Sequence, residues 1–149
     1  MRGRPPPPLA VRNIQRSISV STPKLQQFAD VAGARVWRYR LPQSELASVT
    51  EVAVLIVSDR RMAELHKQFC GVPGTTDVLT FQHGEIVISA DLAARQARMF
   101  HTDFMRELQL YLLHGLLHLA GFDDVEPRQR KRMLRLQMQI WATLRRPSA

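Results

Sequence analysis

Apolar and polar positions along the chain change period several times, and each change predicts an element. Residues 9–20 (LAVRNIQRSISV) are rich in β-branched side chains and partly alternate, which predicts a first strand over 11–15. Thr22 and Pro23 then supply a helix N-cap and a proline at the first helical position. Leu25, Phe28, Ala29 and Ala32 follow at helical spacing, and Gly33 is expected to end the run. The continuous apolar stretch 50–57 (TEVAVLIV) reads as a strand buried on both faces. Ser58 and Asp59 cap a helix carrying Met62, Leu65 and Phe69, which GVPGT at 71–75 interrupts. Two strand-like runs, 77–81 and 85–89, are separated only by Gln82, His83 and Gly84, so a tight hairpin is expected. Ser89 caps a helix over 90–99. A second helix starts near Thr102 and Asp103 and runs to Ala120. Its leucines cover most of its circumference, the mark of a buried helix, and Gly121 is a natural stop. A last helix over 126–144 has Met133, Leu136, Ile140, Trp141 and Leu144 on one face and Arg128, Lys131, Arg132 and Arg135 on another.

A chain of 149 residues with 45% apolar side chains suits one α/β domain with a real core. The four consecutive prolines within residues 1–8 predict a disordered tail, leaving 9–146 as the domain. A single cysteine, Cys70, excludes a disulfide scaffold. No apolar run approaches the roughly 20 residues that span a bilayer, and the N-terminus has no secretory h-region. A cytoplasmic protein without membrane contact is expected. The net charge is +8, concentrated at the ends: residues 1–16 hold four arginines and no acid, and 126–149 hold seven basic groups against one acid. Basic ends on a near-neutral body suggest a polyanion partner such as nucleic acid.

The candidate chemistry lies at 114–124, HGLLHLAGFDD. His114 and His118 stand at i and i+4, about 6 Å apart on one helix face, and two such imidazoles can share one transition metal. A turn at Gly121 can bring Asp123 or Asp124 back toward them. Two histidines and one carboxylate leave a coordination position open, as in catalytic sites. The plainer alternative is a pair of buried histidines bonded to backbone. The zinc-protease motif has glutamate beside its first histidine; here that position is Gly115, so a protease base is missing.

Three segments resemble the YbeY-type endoribonucleases, metal-dependent proteins of ribosomal RNA maturation. They are HGLLHLAGFDD against the family's HGxLHLxGYDH, TTDVLTF (75–81) against PTDVLSF, and GEIVIS (84–89) against GDIVIS. The resemblance implies a mixed α/β (α+β) fold: a small mixed sheet of about four strands, a buried metal-binding helix and flanking helices. It implies one divalent transition metal, with zinc expected, held by His114, His118 and Asp124, the last at the position of the family's third histidine. It also implies a hydrolase, cutting single-stranded RNA in rRNA processing and ribosome quality control, with precursor rRNA and the ribosome as partners. The family's arginine in the pattern LNxxYR falls on Cys70, where Lys67, Arg60 or Arg61 would have to supply the charge. That departure favours the alternative, a non-catalytic metal-containing module that binds rRNA or the ribosome. The 82–84 loop is also shorter than the family's segment.

Arg128, Lys131, Arg132 and Arg135 are the candidate RNA contacts, since guanidinium forks suit phosphate. Asp77 and Glu85 are the candidates for a catalytic or histidine-orienting carboxylate. Each has the simpler reading of a strand-end charge. His66, His83 and His101 show no pairing pattern.

Overall fold

Two parallel pairings and one hairpin build the sheet. β1 (Leu9–Asn13) pairs in parallel with β2 (Val52–Val57), and β2 pairs in parallel with β4 (Glu85–Ser89). β3 (Val78–Phe81) returns antiparallel on the outer side of β4. The order is β1-β2-β4-β3, a mixed four-stranded sheet as expected. Parallel neighbours need a crossover. Between β1 and β2 it consists of α1 (Thr22–Trp37) and the one-turn α2 (Glu45–Ser48); between β2 and the hairpin it is α3 (Asp59–Cys70). α4 (Ala90–Phe100), α5 (Phe104–Leu119) and α6 (Pro127–Leu144) follow the sheet. This computed structural model describes residues 3–145. Met1, Arg2 and the expected domain end at Arg146 lie outside the described residues.

Three of the expected helix caps are in place, but Thr22 is the first residue of α1 and not its cap: Ser21 takes the N-cap position and its side chain makes no capping bond. Ser58, Ser89 and Asp103 each accept a hydrogen bond from a backbone N–H in the first turn of α3, α4 and α5. Gly33 does not end α1, which runs four residues further. The residue is glycine for clearance: a Cβ there would lie 2.7 Å from Leu9 Cδ1, where α1 packs across β1. α2 was not expected from the sequence. Residues 3–8 have no regular structure, yet the Arg4 guanidinium donates to the carbonyls of Ala47 and Val49, and the Pro8 carbonyl accepts from Val52 N.

β2 is not buried evenly on both faces. Val52, Val54 and Ile56 lie fully buried beneath α1 and α5, whereas Ala53 and Leu55 are only half-buried. The reason is unequal cover. The first face carries one large core shared by α1, α5 and the inner side of α6; on the second, Val57 and Val87 of the sheet and Met62 of α3 form a small cluster. Because β4 alternates, Ile86 and Ile88 point to the large core and Glu85 and Val87 to the small one.

Candidate metal centre

α5 carries the site because it is the best anchored helix. Leu108, Leu112, Leu113, Leu116 and Leu117 are fully buried along it. Gly115 sits where α5 crosses β4, and a Cβ there would lie 2.6 Å from Ile86 Cγ2. A protease-type glutamate at this position has no room. His114 and His118 occupy the remaining face, with side chains 20% and 25% exposed and rings meeting edge to face at 4.8 Å.

The chain then reverses by glycine-dependent geometry. Gly121 has φ +105°, Gly121 N donates to His118 O, and Phe122 N donates to Leu117 O, which closes a Schellman turn. The two aspartates after it divide the work. Asp123 Oδ1 accepts from the backbone N–H of Asp124 (2.7 Å) and Val125 (3.3 Å), so it shapes the loop. Asp124 Oδ2 lies 3.3 Å from His114 Nε2 and 3.6 Å from His118 Nε2. Arg130 Nε donates to the Asp124 carbonyl at 3.0 Å and ties the loop to α6. One donor atom from each of His114, His118 and Asp124 lies within 4.8 Å of the others, a spacing that a single cation can span.

The sequence reading missed Gln137, a buried residue of α6. His114 Nδ1–H donates to Gln137 Oε1 at 2.8 Å, with Nε2 turned toward Asp124. Fixing the far ring nitrogen in this way sets tautomer and orientation, the usual support for a metal-ligating histidine. The donor set therefore fits a divalent transition ion: two nitrogens, one carboxylate, one imidazole already oriented, and access from solvent. The clue in the sequence was a glutamine between Met133 and Ile140 on an otherwise apolar stripe.

Beside His118 opens a cavity of about 310 Å³, lined by Glu45, Thr80, Gln82, Phe122 and Asp123 among others. Asp77 is exposed at the start of β3, where its carboxylate accepts from Val78 N at 2.8 Å. Tyr111, one turn before His114, has its hydroxyl pKa pushed up, first by burial and then by the charges of Glu107 and Asp77. Glu85 lies on the opposite face of the sheet from α5, in a cavity that also holds Arg61 and His83. Cys70 is exposed at the end of α3, and Arg60 and Arg61 both pair with Glu64. Arg128, Lys131, Arg132 and Arg135 are all exposed on α6, and among the described residues none of them meets a carboxylate. No helix among the described residues is long and apolar enough to cross a membrane.

The chain is similar to known proteins. The family model described as Endoribonuclease YbeY matches residues 10–145. The chain is 35% identical to the Endoribonuclease YbeY of Thermobifida fusca, over 76% of this chain and 84% of that one. It is 33% identical to the protein of the same name from Beutenbergia cavernae, over 74% and 85%. The solution structure of TM1509 from Thermotoga maritima superposes with a TM-score of 0.58 at 26% identity, covering 91% of this chain and 92% of that one. With the family model matching residues 10–145, this chain belongs to the YbeY endoribonuclease family.

Proposed function

We propose that this protein is a cytoplasmic metal-dependent endoribonuclease that cuts single-stranded RNA during ribosomal RNA maturation. The observation that carries this reading is the convergence of His114, His118 and Asp124, of which His118 borders a solvent-accessible cavity, in a chain that matches the family over residues 10–145. In this reading His114, His118 and Asp124 hold one divalent ion, zinc being the natural occupant of a nitrogen-rich set. When bound, the ion supplies Lewis-acid polarisation of a phosphate oxygen or of water. Gln137 keeps the His114 ring turned toward the site, and Asp123 keeps the Asp124 loop closed. Arg128, Lys131, Arg132 and Arg135 hold the RNA backbone, which needs charge and not sequence. Neither Asp77 nor Glu85 is given the role of base: one carboxylate caps β3, and the other faces α3.

One observation favours a second reading, a non-catalytic rRNA- or ribosome-binding module. Cys70 stands where the family pattern has arginine, and the nearby Arg60 and Arg61 are engaged with Glu64. Incubating purified protein with single-stranded RNA, with and without chelator and beside His118→Ala, decides between them. The enzyme reading expects cleavage that chelation and the substitution both abolish. RNA binding with no metal-dependent cleavage establishes the module.

A further inference from the structure

A groove runs along α6 on the far side of Phe122 from the histidines. It encloses about 280 Å³ and is lined by Tyr39, Leu41, Phe122, Arg132 and Arg135 together with two further α6 residues. Its floor is fixed. Leu41 N donates to the Ala120 carbonyl at 2.9 Å, and the Leu41 side chain packs on Gly121, so the loop after α1 is bound to the turn that shapes the metal cluster. Tyr39 is 44% exposed. The Arg132 guanidinium stands 5.7 Å from the centre of the Phe122 ring. Phe122 also lines the cavity beside His118, so the two spaces meet across one ring. Charge is sorted across it: Glu45 and Asp123 border the His118 side, and Arg132 and Arg135 border the groove.

We propose that this groove binds one nucleotide of single-stranded RNA next to the metal cluster, its base against Tyr39 and Phe122 and its phosphate on Arg132 and Arg135. The proposal rests on the RNA-cleaving reading and gives it a substrate subsite. Aromatic rings and guanidinium planes receive bases that have been unstacked, which a duplex does not offer. The volume is at the small end for ligand sites and suits one base. Two cations with no carboxylate in the groove lining complement a phosphate. A chain seated here passes over Phe122 directly into the cavity of His118.

The test is fluorescence anisotropy with the purified protein and labelled single-stranded oligoadenylate, alongside an otherwise identical abasic oligomer. Oligomer integrity is checked on a gel after each titration. Tyr39→Ala should weaken oligoadenylate binding about ten-fold. It should leave abasic binding and the salt slope unchanged, and Tyr39→Trp should bind like the parent. Arg135→Gln should lower the slope of log affinity against log salt by about 0.7 on both oligomers. Equal binding by parent and Tyr39→Ala, equal losses on both oligomers, or an unchanged slope in Arg135→Gln overturns the groove. A parent that binds no RNA overturns this proposal and the RNA-cleaving reading together. The expected variant pattern without metal-dependent cleavage leaves the groove standing and removes only the enzyme.

Discussion

On one face of the sheet Val54, Ile56, Ile86 and Ile88 lie fully buried under α1 and α5. On the other, Leu55, Val57 and Val87 meet only α3, beside a cavity of about 400 Å³ whose rim includes Ile14 and Phe69, 57% and 58% exposed. Both faces carry metal-binding residue types: His114, His118 and Asp124 beyond the first, His83 and Glu85 on the second. Among the described residues, the first set is the group of three donors that one cation could span. The difference lies in how the backbone is held. α5 is gripped along its whole length, so two of its side chains keep a fixed separation, and the Gly121 turn adds a third donor. His83 and Glu85 come from a hairpin turn and a strand start over a thin core; they border one cavity, and among the described residues no third donor joins them.

Removing donors from each face in turn has the largest expected effect. His114→Ala or His118→Ala should reduce bound metal from about one ion per chain to almost none, as read by elemental analysis. His83→Ala and Glu85→Ala should leave it unchanged, and metal loss in either would move the site to the α3 face. Asp124→Ala should also lose metal, though less completely since both imidazoles remain, and Asp124→His should restore it in part. Asp123→Ala should do less damage, because its carboxylate bonds the loop backbone. The reverse ranking in metal titrations would make Asp123 the ligand.

The next effect is on stability. Leu112→Ala empties a fully buried position of α5 and should cost about 2–5 kcal/mol in chemical denaturation. Leu65→Ala, at a half-buried position of α3, should cost clearly less, because solvent and the open cavity already border it. Equal losses would mean that the thin face bears as much of the fold as the thick one.

The same contrast separates what was legible in the chain from what was not. Caps at Ser58, Ser89 and Asp103 were legible because capping is local: a short polar side chain bonds a backbone N–H two or three residues away. So were the hairpin and the His114–His118 spacing. The end of α1 was misread at Gly33, since nothing local distinguishes a glycine that stops a helix from one that makes room for Leu9. The side to which Glu85 points was hidden because the EIVIS run is apolar on both faces, and alternation alone does not say which face α5 covers. Gln137 was missed for a related reason. Its partner lies 23 residues away, and that contact exists only once α6 has folded back onto α5.

The smallest effect is expected where the two faces are joined. Asp59, the first residue of α3, accepts from Ser89 Oγ at 2.8 Å and Thr75 Oγ1 at 3.2 Å, and from Arg95 of α4, whose helix packs on α5. Its own N–H donates to Asp91 Oδ2 at 2.7 Å. Burial alone would raise the Asp59 pKa. The hydrogen bonds from Arg95, Ser89 and Thr75 and the Arg95 charge outweigh it and hold the carboxyl below its ordinary 3.8. A carboxyl depressed in the folded state binds fewer protons there than in the unfolded chain, so the stability it adds is full above the ordinary value and is lost as pH falls below it. The pair is partly exposed, which limits the contribution to under about 1 kcal/mol. Asp59→Asn should therefore be slightly less stable than the parent at pH 7, and the gap should be smaller at about pH 3, below the ordinary value of 3.8. Denaturation midpoints at the two pH values decide it. A gap of the same size at both would show that Asp59 acts through the shape of its hydrogen bonds and not through its charge, and the strap between α3 and α4 would then be insensitive to acid.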